Sequence, residues 1–396
     1  MMNSSKPTSI DFSNTEIAFK AKSNGDLRNS YMLFKALGYN WLVQVGPAMV
    51  NAAFAVSLPI KGIIKSTVFK QFCGGESIED CAKTIESLNK YGIGTILDYS
   101  VEGKEAEEDF EHTTKETIET IAKAQNNPKI PFSVFKVTGL ARMDLLNKVN
   151  DGKTLSSDEN DEFARVKERV NRICKSAYDK NVRIFIDAEE SWIQKTIDNL
   201  ADEMMEMYNK SEAIVYNTLQ FYRHDRLAFL KQSYQKAADN NYHLGVKLVR
   251  GAYMEKERVR AQQLSYTDPI QPNKEASDED YNEGLQFCVK HIDRIAICAG
   301  THNEESCKIL AEMMAEAKLT NNDRRIYFSQ LFGMSDNLSY NLANAGYNVA
   351  KYLPYGPVKA VMPYLFRRAQ ENTSAKGQAG RELTLILREM KRRRLK

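Results

Sequence analysis

Short runs of β-branched and aromatic residues recur eight times after residue 92, and stretches with helical character separate them. Several runs are almost continuously apolar, as expected for parallel strands that are buried on both faces. Eight alternating β and α units in roughly 280 residues predict a (βα)8 barrel. The predicted strands are Ile93–Tyr99, Pro131–Val137, Val182–Asp187, Ala213–Leu219, Leu244–Val249, Arg294–Ala299, Arg325–Gln330 and Asn348–Leu353.

The connections between these runs differ in length and character. Glu162–Lys180 and Glu304–Lys318 are typical of the helices predicted between strands. Two other connections are longer and are predicted to be loops. Asn147–Asp161 is polar and acidic and predicts a surface loop, whereas the length of Glu255–Asp280 predicts a functional loop after the fifth strand.

The ends of the chain predict helical additions to the barrel. Residues 1–75 are expected to form an N-terminal helical segment, 76–372 the barrel, and 373–396 a basic amphipathic helix. Within the first segment, Trp41–Ile60 contains no charge, but its Gly, Pro and Asn residues favour a buried helix over a membrane span. The predicted class is therefore α/β, a distorted TIM-like barrel with an N-terminal helical extension and a C-terminal basic helix.

Composition and short motifs exclude several other classes. The chain has 55 basic and 52 acidic residues, which gives no support to nucleic-acid binding. The six cysteines form no C-x-x-C pair, so no metal site is predicted. A doubly wound dinucleotide-binding sheet is disfavoured, because no G-x-G-x-x-G follows the first strand. The P-loop, G-x-S-x-G and H-E-x-x-H motifs do not occur either.

The two termini also bear on location. The first ten residues are polar and are neither a secretory signal nor Arg-rich, which led us to expect a cytoplasmic protein of a bacterial cell. The segment Leu383–Lys396 combines apolar residues with a basic cluster, and such a helix can lie on an anionic membrane. A peripheral contact with the inner face of the cell membrane through this helix was therefore also expected.

Nearly every predicted strand ends in a polar or ionisable residue. Because a (βα)8 barrel builds its active site at the carboxyl ends of its strands, we expect these side chains to converge on one rim. Together with Arg367 and Arg368 on the helix after the eighth strand, they suit an anionic cofactor and a small zwitterion. The residues at strand ends are Lys136, Asp187, Gln220, Lys247, Arg250, His302, Gln330 and Tyr352.

Five motifs occur in a fixed order along the chain, at Ile186–Glu190, Val246–Tyr253, Thr301–Asn303, Gln330–Met334 and Tyr352–Asn372. Through these motifs, the chain resembles the proline dehydrogenase family over residues from about 92 to 372, in particular its single-function, eukaryote-like branch. Met254 stands where some bacterial members carry Trp. Lys247 stands where they carry Arg, and a lysine lacks the bidentate fork that an arginine would offer near the flavin.

The resemblance implies an enzyme that binds FAD without a covalent bond and oxidises L-proline to Δ1-pyrroline-5-carboxylate by hydride transfer. A membrane quinone would take the electrons. It implies that Arg367 and Arg368 bind the proline carboxylate, held by Glu371. Other implied roles follow. Lys136, Asp187 and Tyr352 are catalytic, Tyr364, Tyr253 and Leu331 contact the substrate, and Gln220, Lys247, Arg250, His302 and Gln330 bind the cofactor.

Three other readings of the residues stay open at this point. Lys136 or Lys247 inside a strand could form a Schiff base, as in a barrel aldolase. A folate-type flavin reductase would share the barrel and the cofactor. A regulator or membrane-associated adaptor that binds proline without turnover is the third.

Overall fold

The fold is a closed barrel of eight parallel strands that follow one another in chain order. The computed structural model describes residues 10–56, 58–101, 105–374 and 378–395. This confirms the predicted barrel, and β1 and β5 begin and end where the sequence predicted. The strands are β1 (Ile93–Tyr99), β2 (Phe132–Phe135), β3 (Arg183–Ile186), β4 (Val215–Gln220), β5 (Leu244–Val249), β6 (Ile295–Gly300), β7 (Ile326–Leu331) and β8 (Val349–Tyr355).

Helices precede β1, alternate with the strands and follow β8. A π-helical stretch, Lys65–Phe69, lies between α4 and α5, and a 3₁₀ turn, Val137–Gly139, follows β2. The helices of the described residues are α1 (Thr15–Ala18), α2 (Asn24–Leu37), α3 (Asn40–Ala55), α4 (Lys61–Ile64), α5 (Lys70–Phe72), α6 (Ala82–Asn89), α7 (Glu107–Ala124), α8 (Met143–Asn150), α9 (Ser157–Asp179), α10 (Ser191–Tyr208), α11 (Arg226–Asp239), α12 (Met254–Leu264), α13 (Lys274–Lys290), α14 (Glu304–Glu316), α15 (Asp336–Asn344), α16 (Met362–Ser374) and α17 (Gln378–Arg392).

Packing divides the described chain into two compact units. The first unit comprises residues 105–329, from α7 to most of β7. The second unit comprises residues 10–56, 58–101, 330–374 and 378–395, and so contains β1, β8, the N-terminal helices and α15 to α17. The sequence predicted three segments in chain order, 1–75, 76–372 and 373–396. The two packing units do not test that division, so it stays a prediction.

Aromatic side chains fill the interior of the first unit. Phe132 and Phe185 stack with ring centroids 4.4 Å apart. Tyr216 and Tyr327 meet Phe132 edge-on, at 5.5 and 4.9 Å. Such pairs add about 0.5–1.5 kcal/mol each to the burial of their apolar area. They tie together side chains from four strands and so stabilise the parallel register.

The core of the second unit joins the two ends of the chain. Phe34 of α2 and Phe72 of α5 are buried and meet edge-on at 6.2 Å. Leu365 of α16 and Ile386 of α17 belong to the same buried cluster. The helices before the barrel and those after it therefore form one core together.

A glycine permits a close approach within this unit. Gly333 has a φ of +78°, and a Cβ atom there would lie 2.0 Å from the carbonyl oxygen of Gln71. The side-chain amide of Gln71 donates a hydrogen bond of 2.7 Å to the Gly333 carbonyl. Only glycine allows both the backbone conformation and this contact.

A buried ion cluster connects β8 with α15 and α17. The ammonium of Lys351, which is fully buried, lies 2.9 Å from the Asp336 carboxylate, and Lys22 lies 3.4 Å from it. Glu382 accepts a hydrogen bond of 2.6 Å from the backbone N–H of Ser335. Removing one partner of a buried pair is costly, about 3–5 kcal/mol, so this cluster constrains how the last helix packs.

The two predicted long loops are mostly helical, so that prediction is wrong. Ser156 caps α9 and forms a capping box with Glu159, which turns the acidic stretch 147–161 into a helix start. In 255–280, α12 follows β5 directly, and Asn273 caps α13 through a hydrogen bond from the Ala276 N–H. Asp158, Glu159, Glu255, Glu257 and Glu275 lie in the first turns of these helices, a position that polarity alone does not distinguish from a loop.

The apolar segment 41–60 is only partly as predicted. It forms the helix α3, and Val43 is buried, but Trp41, Val45 and Met49 are exposed. The prediction of a buried helix is therefore wrong for one face. Among the described residues, no helix is long and apolar enough to cross a membrane.

The C-terminal helix packs within its own unit. Leu385 and Ile386 are buried in the core, and Arg393 donates a hydrogen bond of 2.7 Å to Glu389. This contradicts the expectation of a membrane contact for Leu385 and Ile386, because both are already covered, whereas Leu387 is exposed. Lys396 and the polar residues 1–9 lie outside the described part of the chain.

Candidate active site

The predicted rim residues of the first unit follow the ends of β2 to β6. Asp187 and Lys247 form a buried ion pair through Oδ1 and Nζ. Only 4% of Lys247 is exposed, and its ammonium lies 5.0 Å from the centroid of the Phe185 ring. The backbone N–H of Asp187 donates a hydrogen bond of 3.0 Å to the Phe135 carbonyl. The pair therefore has a fixed position between β3 and β5.

Glu189, two residues after Asp187, is a buried carboxylate. It accepts hydrogen bonds from the backbone N–H of Thr138, at 3.0 Å, and from the Thr138 hydroxyl. Burial raises the pKa of Glu189 to about 7, against the lowering effect of the Thr138 bonds and of the positive charge of Lys136. Lys136 itself is half-buried at the end of β2.

Gln220, the last residue of β4, is connected to the same segment. Its side-chain amide donates a hydrogen bond of 2.7 Å to the Glu189 carbonyl, and the Glu189 N–H donates one of 2.8 Å to Gln194. Both glutamines are buried. The backbone after β3 is thereby held on two sides, which positions the carboxylates that it carries.

Arg250 is held by three side chains. Its Nε lies 2.5 Å from Asp278, Nη1 donates 2.8 Å to Thr301, and Nη2 donates 3.0 Å to Ser306. Its guanidinium also covers the Tyr281 ring at 4.3 Å. Since a guanidinium has five N–H donors, two are left over beyond these three bonds.

Residues beside Arg250 explain its fixed position. Burial alone would raise the pKa of Asp278. The hydrogen bonds and positive charges of Lys274 and Arg250 have the larger combined effect, so the pKa of Asp278 is lowered. Gly251 follows with a φ of +130°, and a Cβ atom there would lie 2.5 Å from the Tyr222 ring. Any larger residue would move the chain between Arg250 and Tyr253.

Tyr253 and His302, two further residues predicted for the site, are half-buried. Tyr253 is the N-cap residue of α12, and the Lys256 ammonium lies 5.7 Å from its ring. His302 lies between Thr301, which binds Arg250, and Asn303, whose side chain caps α14. Both neighbours of His302 are therefore fixed by hydrogen bonds.

In the second unit, α16 carries the predicted substrate arginines. Only 5% of Arg368 is exposed, and its Nη2 lies 2.5 Å from Glu371. Its guanidinium lies 5.0 Å from the Tyr364 ring. The buried Tyr364 hydroxyl has no hydrogen-bond partner within the described part of the chain. Arg367, the next residue on this helix, is half-buried.

The end of β7 and the middle of β8 supply the other predicted residues. Tyr352 is nearly buried, and its carbonyl accepts a hydrogen bond of 2.8 Å from the Phe332 N–H. Gln330 is buried and accepts one of 2.8 Å from the Ser339 hydroxyl. Leu331 is half-buried and packs against the core of its unit.

Sequence reasoning did not assign roles to two carboxylates that the structure makes prominent. Glu189 lies in the acidic run after β3, but nothing in that run indicates that Glu189 and Glu190 are buried whereas Asp187 is only partly buried. Asp278 was placed in a predicted loop, whereas it lies on α13 and binds Arg250. Burial and the choice of partner depend on three-dimensional packing, which the local pattern does not contain.

The polar groups of the first unit fit the cofactor that the resemblance implies. Lys247 and Arg250 are cationic, and Arg250 retains donors for an anionic group such as a diphosphate. In the second unit, the buried Tyr364 hydroxyl offers a polar atom for a ligand. Among the residues that the structure describes, no cluster of His, Cys, Asp and Glu could hold a metal ion.

Comparisons with known proteins agree on one family. A family model described as proline dehydrogenase matches residues 81–381. A relative named proline dehydrogenase 1, mitochondrial, from Dictyostelium discoideum is 32% identical over 99% of this chain and 76% of its own length. The carbapenem antibiotics biosynthesis protein CarD of Pectobacterium carotovorum is 35% identical over 84% of this chain and 86% of its own length.

A solved structure shares the fold. Proline utilization A from Bdellovibrio bacteriovorus superposes with a TM-score of 0.72 at 19% identity, over 94% of this chain. The chain spans 40% of that protein's length. This likeness supports the barrel architecture alone.

The expected location is corrected by the relatives. The proteins from Dictyostelium discoideum, Caenorhabditis elegans and Arabidopsis thaliana are all named mitochondrial. This contradicts the prediction of a bacterial, cytoplasmic protein at the inner face of the cell membrane. That prediction relied on the composition of the first ten residues, which does not determine where the folded enzyme works.

The raised pKa of Glu189 predicts that burying this carboxyl lowers the free energy of unfolding as the pH rises. In the unfolded chain a glutamate ionises near pH 4.5, so its burial destabilises the fold progressively from there to about pH 7. The free energy of unfolding of Glu189→Gln, relative to that of the wild type, should therefore rise by up to about 3 kcal/mol from pH 5 to pH 8. Denaturant unfolding at both pH values measures this change.

The exposed glutamate at the end of α14 provides the matched control. Glu316→Gln should show the same pH dependence as the wild type, because Glu316 is exposed. A pH-independent difference between Glu189→Gln and the wild type would contradict the raised pKa.

Proposed function

The chain belongs to the proline dehydrogenase family, and we propose that it oxidises L-proline to Δ1-pyrroline-5-carboxylate with non-covalently bound FAD. The observation that carries the proposal is the arrangement on α16. Arg368 is buried, held by Glu371 and stacked on Tyr364 within a segment that the family model covers. A buried cation with a fixed direction suits the carboxylate of a small amino acid.

The substrate residues act by binding and orientation. Arg367 and Arg368 bind the proline carboxylate, and Glu371 holds the Arg368 guanidinium in place. Tyr352 and Tyr364 pack on the pyrrolidine ring, where nearly buried aromatic rings exclude water. Tyr253 and Leu331 are proposed as further substrate contacts.

The cofactor residues hold and polarise the flavin. When bound, FAD would accept the hydride that leaves proline C5. Lys247 and Arg250 place positive charge for an electron-rich flavin, which favours its reduced form. Their pairing with Asp187 and Asp278 fixes both side chains. Gln220, His302 and Gln330 complete the proposed cofactor set.

Lys136 and Asp187 are proposed as the polar residues that act on the reacting amine together with Tyr352. The ion pair with Lys247 supports this role for Asp187, because it fixes the carboxylate near the end of β3. It also disfavours the aldolase reading. A Schiff base at Lys247 would require breaking a buried ion pair and leaving Asp187 without its partner.

A membrane quinone is the proposed electron acceptor, since the reduced cofactor must be reoxidised after each turnover. A mitochondrial location is proposed from the names of the eukaryotic relatives.

The arginines provide the test of the substrate. Arg367→Met and Arg368→Met should each raise the KM for proline at least tenfold, about 1.4 kcal/mol or more, because each removes a charge-assisted hydrogen-bond donor. Steady-state kinetics with a soluble dye acceptor measures this. The exposed Arg324 serves as control, and Arg324→Met should leave KM unchanged. A KM within twofold of the wild type in both α16 variants would refute the carboxylate assignment.

Tyr352 is proposed as the residue that selects proline over 4-hydroxyproline. Tyr352→Ser opens space for the extra hydroxyl and should lower the ratio of kcat/KM for proline to that for hydroxyproline at least tenfold, or about 1.4 kcal/mol. Tyr352→Phe keeps the ring and should keep the ratio. Thermal unfolding of both variants checks that they fold. An unchanged ratio in a folded Tyr352→Ser variant would exclude this role.

A further inference from the structure

One side of α3 exposes a row of large apolar side chains. Trp41, Val45 and Met49 are spaced four residues apart and are 61%, 48% and 58% exposed. Residues at this spacing lie on the same helix face. Val56, Leu58 and Ile63, which follow the helix in the chain, are also more than half exposed. We refer to these six residues as the α3 face.

The opposite side of the helix is anchored. Val43 is buried, and Val50 and Phe54 pack against the core cluster of the second unit. The helix packs against α16, which carries Arg367 and Arg368. A helix that is apolar all round is normally covered on all sides. Here the protein covers only one side.

The segment that carries this face has a positive net charge. Leu27–Gly75 contains no Asp or Glu but five basic residues, of which three are Lys61, Lys65 and Lys70. Glu76 contacts Lys61 and Lys65, and Asp26 contacts Lys70. Including these two acids, the segment 26–76 has five positive and two negative charges, a net charge of +3. Such a rim is complementary to anionic lipid headgroups.

Aromatic residues mark the start of the helix. Tyr39, the N-cap residue of α3, is about half exposed, and Trp41 follows. Trp and Tyr are enriched where a protein meets the headgroup region, because their rings have an apolar body and a polar edge. At 16 residues, α3 is about 24 Å long, shorter than the hydrocarbon core of a bilayer, so it suits lying in the interface.

A second copy of the chain fits this face less well. A symmetric dimer would place the same patch of both copies together, and with it two rims of like charge. Like charges across an interface oppose association. An anionic bilayer meets both the apolar stripe and its rim with complementary partners.

We propose that the α3 face docks the protein on the surface of an anionic lipid bilayer, with Trp41, Val45 and Met49 inserted at the headgroup boundary. This surface replaces the C-terminal helix, whose Leu385 and Ile386 are buried. It lies on the helix that packs against α16, which carries the proposed substrate arginines. The docking does not depend on the proposed reaction, because it concerns binding to lipid alone.

The first test measures binding of the full chain to vesicles. Vesicles of phosphatidylcholine with phosphatidylglycerol should bind the wild type, and binding should weaken in high salt and without phosphatidylglycerol. The triple variant Trp41→Ser, Val45→Ser, Met49→Ser should partition at least tenfold less. Because these side chains are exposed, its unfolding temperature should stay near that of the wild type.

Matched controls separate this surface from general hydrophobicity. The variant Met207→Ser, Val259→Ser, Leu264→Ser removes equally exposed apolar residues of the first unit and should bind as the wild type does. Leu387→Ser tests the exposed residue of α17 and should also bind normally. Equal binding of the α3 triple variant and the wild type would overturn the proposal. So would a wild type that does not bind vesicles but forms a dimer that the triple variant loses.

The two tryptophans allow a direct reading of insertion. Trp192 lies in the first unit beside Arg260, so Trp192→Phe leaves Trp41 as the single emitter. On anionic vesicles, the emission of Trp41 should shift to shorter wavelength and be quenched by brominated lipid. An emission that is unchanged by vesicles to which the protein binds would place the contact elsewhere and refute the α3 face. Neither test involves turnover, so failure of the proposed enzyme activity would leave both results interpretable.

Discussion

Parallel hydrogen bonding between strands that are apolar on both faces is the constraint on which the rest of the structure depends. It aligns Gln220 with Val249 and Leu248 with Ala299, so that neighbouring strands end at the same level. Polar residues just beyond these ends then come near one another although they are far apart in the sequence. The ion pair of Asp187 with Lys247 and the bonds from Gln220 to the Glu189 backbone follow from that alignment.

Buried charge held by fixed partners is the shared feature of both units. In the first unit, Arg250 is bound by Asp278, Thr301 and Ser306. In the second unit, Arg368 is bound by Glu371 and packs on Tyr364. Such cations do not need to reorganise when an anion binds, which lowers the entropic cost of positioning a small substrate. The family assignment and this preorganisation therefore support the same activity from independent directions.

The sequence predicted the barrel because strand runs such as Ile93–Tyr99 are continuous and apolar, and the polar strand ends because their position in a barrel is general. It did not predict the helices at 147–161 and 255–280, since acidic residues favour exposed helix starts and loops alike. It also misplaced the apolar surface. Leu385 and Ile386 of α17 are buried, whereas Trp41 and Met49 of α3 are exposed, because which helix covers which depends on packing between distant segments. The bacterial location was wrong for a different reason, since the composition of the first ten residues does not determine where a protein is located.

The most direct test of the central claim is an absorbance spectrum of the purified protein with FAD, followed by addition of L-proline without oxygen. We expect flavin absorbance bands at about 450 nm that bleach when proline is added, because the bound cofactor would take the hydride and no electron acceptor is present to reoxidise it. Bands that persist after proline is added to a protein that binds FAD would contradict the proposal that L-proline is the substrate. A folded protein that retains no FAD would contradict the cofactor and with it the proposed reaction.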